Sequence, residues 1–197
     1  PDAEWLGYKI TKEGIKPLRD KTEAILKLKS PKNVKDVRSF LGSVQYLAKH
    51  IPNLSEKTAP IRELLKKDST WNWGEQQEKA FNEIKSDLED PKNLAHFNPL
   101  HQSIITCDAS TFGLGATLQQ IDPEGNRKIV AYASRFLNTA EQKYAINELE
   151  LLSVVWACEH FKYFIYVKEF NIETDHKDLV PILKGNRGAK PYSSRLT

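Results

Sequence analysis

The chain has 197 residues, 40% of them hydrophobic and 28% charged, with a net charge of +3, a mixture that supports a buried core and excludes wholesale disorder. Its length predicts one or two compact units. No apolar run approaches the roughly 18 residues of a spanning helix, and Pro1-Asp2-Ala3-Glu4 lacks the layout of a secretory signal, so neither membrane insertion nor classical secretion is expected.

Residues Trp5 to Ile15 read as a short strand and turn broken by Gly7 and Gly14, and Pro17 suits the first turn of a helix running to about Lys29. Asn33 is an N-cap candidate with Asp36 in the first turn. The helix behind it, to about His50, carries Val37, Phe40, Leu41, Val44, Leu47 and Ala48 on one face. Further helices are expected from about Ala59 to Lys67 and from Glu75 to Leu88, the second with Ala80, Phe81, Ile84 and Leu88 in a stripe. After Pro91 the period changes. His101 to Ala109, Gly113 to Ile121 and Lys128 to Phe136 are apolar, β-branched runs, and Asp122-Pro123-Glu124-Gly125-Asn126 is a hairpin turn between the last two. A long helix from about Glu141 to Val167, a strand from Glu169 to Thr174 and a short helix from Lys177 to Lys184 complete the order.

Between Lys9 and Lys49 eleven Lys or Arg face four acids, a local charge of +7 that leaves −4 for the rest, the asymmetry expected beside a polyanion. Cys107 and Cys158 are too few for a disulfide framework and lie among apolar neighbours, which predicts buried thiols in a reducing compartment. Methionine is absent, so the chain reads as a piece of something longer.

Three acids stand where a β-β-β-α-β order would gather them: Asp108 at the end of one strand, Glu150 in the long helix and Asp175 at the end of the fourth strand. Glu150 lies nine residues past Glu141, half a circumference away on a common helix, with Ile146, Val154, Ala157 and Phe161 as its stripe neighbours. A carboxylate on a buried stripe needs a cation or a proton. Oxygen donors with no His or Cys cluster point to Mg2+ or Mn2+ rather than zinc.

The segments around these acids resemble a known family. Cys107-Asp108-Ala109-Ser110 with Phe112 to Leu118, Ala131-Tyr132-Ala133-Ser134-Arg135, Glu148-Leu149-Glu150-Leu151-Leu152 and Thr174-Asp175-His176 are similar to the ribonuclease H region of gypsy-class LTR retrotransposon reverse transcriptases. Trp5-Leu6-Gly7-Tyr8, Gly14-Ile15-Lys16-Pro17, Ser39-Phe40-Leu41-Gly42, Ile51-Pro52-Asn53 and Trp71-Asn72-Trp73 are similar to the end of the palm and the thumb of the same enzymes. The resemblance implies an α+β chain: a palm remnant and thumb-like helical bundle over residues 1–90, then a ribonuclease H-like three-layer α/β domain with a mixed sheet over residues 91–197, lacking its last strand and helix. It also implies that Asp108, Glu150 and Asp175 hold Mg2+ or Mn2+ and hydrolyse the RNA strand of an RNA-DNA hybrid, with Glu148 as the alternative helix acid and no catalytic role for His176. The family's fourth acid is missing, which implies reduced or lost hydrolysis, and the palm acids are missing too, which excludes polymerisation.

Arg38, Gly42, Gln45, Tyr46 and Lys49 share the face opposite the Phe40 and Val44 stripe. A mid-helix Gly costs about 1 kcal/mol against Ala, so the bare backbone calls for a close neighbour. By the resemblance that neighbour is the minor groove of an RNA-DNA hybrid or template-primer duplex, and the remaining partners are the rest of the polyprotein, in a cytoplasmic virus-like particle or the nucleus. Two other readings are a catalytically silent hybrid-binding or subunit-contact module resembling a polymerase connection region, and an actin-like ATPase, which would need a second glycine-rich phosphate loop that the sequence lacks.

Overall fold

The computed structural model describes residues 2–67, 69–166, 169–177 and 179. The chain opens with a three-stranded antiparallel sheet: β1 (Ala3–Trp5), β2 (Tyr8–Thr11) and β3 (Gly14–Pro17), in the order β1-β2-β3. This corrects the expectation of one short strand. Leu6 and Gly7, at φ 44° and 72°, make the two-residue turn that matches strand twist, a turn whose usual Asn-Gly signal the leucine hides. Pro17 correspondingly closes β3 on an edge strand, where it forfeits no ladder bond, and α1 (Arg19–Leu26) starts behind it.

Helix α2 (Val34–Tyr46) begins where Asn33 Oδ1 accepts the Asp36 N–H at 3.0 Å, and it ends at Tyr46; Ala48–His50 is a single 3-10 turn. Helix α3 (Leu54–Glu63) starts five residues before the expected Ala59 and carries Pro60 inside it; α4 is Glu75–Glu89. Val37, Phe40 and Val44 of α2 meet Phe81 and Ile84 of α4 in a fully buried cluster, with the Phe40 and Phe81 rings 4.8 Å apart. Each such side chain contributes about 2 kcal/mol by leaving water. A two-way backbone pair between Ile15 and Leu94, 2.7 and 3.0 Å, ties the segment behind α4 back to β3.

The second sheet is mixed. β4 (Gln102–Ala109), β5 (Gly113–Ile121) and β6 (Arg127–Phe136) are antiparallel neighbours, and β7 (Phe170–Glu173) lies parallel to β4, in the order β6-β5-β4-β7. Alternate residues of β5 face opposite ways. Ala116 and Leu118 pack with Val154 and Ala157 of α5 (Ile146–His160), whereas a Cβ on Gly113 would fall 2.6 Å from Ser55 Oγ of α3. The sheet is therefore sandwiched between α5 and α3, the mixed α/β arrangement that the sequence predicts.

The single long helix expected from Glu141 is three pieces: a 3-10 turn at Glu141–Lys143, α5, and α6 (Lys162–Ile165). Glu141 is held instead by Arg135 through contacts of 2.7 and 3.0 Å and by the Asn138 N–H at 2.8 Å. It does not share a helix with Glu150, so the circumference argument from Glu141 fails, and Ile146, placed on the buried stripe, is 50% exposed. The helix expected over Lys177 to Lys184 falls mostly outside the described residues. No helix among the described residues is long and apolar enough to cross a membrane.

Candidate active site and nucleic-acid interface

Parallel pairing of β4 and β7 aligns Thr106 with Glu173, so Asp108 and Asp175, two residues further along each, emerge side by side at adjacent strand ends. Glu150, in the N-terminal half of α5, reaches the same point. One oxygen from each of Asp108, Glu150 and Asp175 lies within 4.8 Å of the others. The two aspartates are exposed and Glu150 is buried at 5% exposure. Glu148 is exposed and turned to another task, accepting the Ala145 N–H at 3.0 Å at the start of α5.

Burial, then the charges of Asp108 and Asp175, push the Glu150 carboxyl above its usual range, while His176 works in the other direction. Burial and Asp175 likewise raise Asp108, and the Ala109 N–H partly offsets this. Glu150 Oε2 is buried with no hydrogen-bond partner among the described residues. A cluster of three carboxylates with an orphaned oxygen fits a hard divalent cation, which would relieve the repulsion and fill the empty acceptor. The nearby thiol belongs to the core: burial raises Cys107 to about 12, which removes it as a nucleophile at neutral pH.

Asp108 also lines a small cavity with Asn53, Ser55, Gly113 and Gly115, which brings the start of α3 beside the acids. Sequence reasoning missed this neighbour. The signal was present in Gly113 and Gly115, since glycine inside a strand marks a close approach of backbone or another element.

On α2, Arg38, Gly42 and Gln45 lie on the exposed face. No described atom lies within 4 Å of a Cβ built on Gly42, so no packed helix explains this glycine. Tyr46, at the edge of that face, is tied to the first sheet: its hydroxyl donates to Leu6 O, Tyr8 Oη donates to Tyr46 O at 2.7 Å, and the two rings stack at 5.5 Å. Lys49 departs from the expected track. It sits in the 3-10 turn with its ammonium 3.5 Å from the Tyr8 ring centre, half-buried, and burial lowers its pKa. Tyr8, which gathers both side chains, stands in the sequence only as part of Trp5-Leu6-Gly7-Tyr8, with no role expected at this face.

Residues 73–172 match the model of the RNase H-like domain found in reverse transcriptase. The chain belongs to this family. It is 35% identical over 196 residues to the transposon Tf2-3 and Tf2-4 polyproteins of Schizosaccharomyces pombe, covering 98% of this chain and 15% of each polyprotein. The family member thus spans about 15% of the length of those relatives. Its fold is similar to that of a foamy viral protease-reverse transcriptase in complex with dsDNA, at 21% identity and a TM-score of 0.74 over 99% of this chain and 40% of that one. The structure of that viral protein in complex with RNA/DNA hybrid gives 20% identity and a TM-score of 0.71 over 94% of this chain and 26% of that one. The RNase H-like domain and its retrotransposon kinship are thereby shown.

Proposed function

We propose that the chain is the thumb and ribonuclease H portion of a gypsy-class reverse transcriptase, in which a helical unit over residues 1–90 grips an RNA-DNA hybrid and a sheet unit over residues 91–197 hydrolyses its RNA strand. The observation that carries this reading is the meeting of Asp108, Glu150 and Asp175 within 4.8 Å around an unpartnered Glu150 oxygen. These residues would hold Mg2+ or Mn2+, which supplies an activated water and neutralises charge on the leaving oxygen. Asp108 and Asp175 present exposed oxygens towards solvent, where a phosphodiester arrives, while burial fixes Glu150 behind them. Arg38, Gly42, Gln45 and Tyr46 offer charge, a bare backbone and an aromatic edge for phosphate, sugar and base-edge contacts, with Lys49 contributing charge from beside Tyr8.

The test is cleavage of a labelled hybrid with Mg2+ or Mn2+. Asp108→Asn, Glu150→Gln and Asp175→Asn should each abolish cleavage while retaining hybrid binding. A wild-type chain that binds hybrid, fails to cleave it with either ion and is unaffected by all three substitutions would instead be a silent, connection-like module.

A further inference from the structure

Helix α3 carries a cation that nothing in the described structure neutralises. Arg62, in its last turn, is half-buried with its guanidinium 4.2 Å from the centre of the Phe136 ring. Its Nε is closed off from water without a hydrogen-bond partner, and it forms no ion pair with any described carboxylate. Burial lowers its pKa, as expected for a charge taken from water without compensation. The negative end of α3 favours a cation at this turn, yet leaves the Nε donor unbonded.

Its position gives the vacancy a direction. Ser55 and Arg62 are seven residues apart, two turns along one face of α3, or about 10 Å along the axis. Ser55 borders the cavity that contains Asp108, and Phe136 pairs with Gly113, which also borders it. The guanidinium therefore stands on the α3 side of the sheet, over the strand end of Phe136 and two helical turns from the Ser55 border of that cavity. A planar guanidinium backed by an aromatic ring keeps a fork of donors suited to two oxygens of one phosphate.

We propose that Arg62, seated on Phe136, receives a backbone phosphodiester of the duplex whose cleaved strand lies at Asp108, Glu150 and Asp175. This assignment rests on the hybrid-binding reading above and adds to it a grip outside α2. The phosphate neutralises the guanidinium through its terminal amino groups, so hybrid binding and the strain of an unmatched charge are coupled at one residue.

Two variants test it. Arg62→Met keeps the apolar stem without charge, and Arg62→Lys keeps charge without the fork. In EDTA, which prevents cleavage, Arg62→Met should weaken binding of a labelled hybrid about tenfold and lower the salt slope by about one, whereas Arg62→Lys should keep the slope. In chloride buffer without nucleic acid, Arg62→Met should melt at or above the wild-type temperature, and inorganic phosphate should raise the Tm of wild type more than that of Arg62→Met. Unchanged affinity and slope in Arg62→Met overturn the assignment, as does a lowered Tm with equal phosphate effects in both proteins, which would make Arg62 a packing residue. Were wild type to bind no hybrid at all, the reading of the whole site would fail, and the phosphate-dependent Tm difference would still decide whether Arg62 captures an anion.

Discussion

Replacing Glu150 by Gln should stabilise the metal-free protein while destroying its catalytic capacity. At 4.8 Å, two unit charges repel by about 0.9 kcal/mol in bulk water and about 3.5 kcal/mol at an effective dielectric of 20. Exposure of Asp108 and Asp175 places these pairs nearer the watery limit, about 1 kcal/mol each. Glu150 belongs to two of the three pairs, so Glu150→Gln removes about 2 kcal/mol of repulsion, and the new amide can donate to the remaining carboxylates. For a chain of this length that is a rise in Tm of about 4–8 °C. The pH dependence has a fixed sign. The Glu150 carboxyl is raised in the folded state, so the folded protein binds more protons than the unfolded one, and wild-type stability without metal declines as pH rises from about 4.3 upwards. Divalent ions should reverse the ranking: at a hundred times its Kd, Mg2+ or Mn2+ adds about 2.7 kcal/mol to wild type, more than the repulsion it carries, and little to the variant. Thermal unfolding in EDTA and in each ion, across pH, reads all of this. A Glu150→Gln protein that melts below wild type in EDTA, or that gains as much from the ion, would refute a shared carboxylate cation site.

Gly42→Ala should raise stability by about 1 kcal/mol, because the added methyl meets open space in mid-helix, and should weaken hybrid binding; a stabilised variant with unchanged affinity would separate this glycine from nucleic acid. Arg38→Ala should weaken hybrid binding and lower the salt slope by about one at all sequences, measured by titration at several ionic strengths, with no change in Tm beyond about 0.5 kcal/mol. Gly113→Ala should cost about 2 kcal/mol or more, since its Cβ would fall 2.6 Å from both Arg135 O and Ser55 Oγ, and chemical denaturation would show it. His50 is buried and its pKa is pushed down to about 4, so its contribution to stability is present above pH 6.5 and is lost as pH falls towards 4; His50→Gln should flatten that part of the pH-stability profile.

The strands of the second sheet were legible because their period is two and their turn residues are explicit, as at Asp122 to Asn126, and α4 because its stripe is uninterrupted. The first sheet was obscured by Leu6, a residue type rarely found at positive φ, which occupies the turn by virtue of the strands on either side. The break before α5 was hidden because no Gly or Pro between Glu141 and Ile146 marks it, and periodicity does not report where hydrogen bonding stops. The family pattern Glu-Leu-x-small, met at Glu150-Leu151-Leu152-Ser153, favours Glu150 over Glu148. The structure separates them physically, with Glu148 bound to the Ala145 N–H and Glu150 buried among acids.

The amino-acid pattern alone determined the alternation of helical and strand segments, the basic bias of the first fifty residues and the presence of three acids in strongly recognisable surroundings, because these are properties of neighbours along the chain. Only the tertiary structure decided that β7 runs beside β4 in the register that sets Asp175 next to Asp108, that Tyr46 and Lys49 turn towards Tyr8, and that Arg62 has no counter-charge among the described residues. Those are long-range contacts, set by how the sheets and helices of the described residues share apolar surface, and no local preference of the residues concerned carries them.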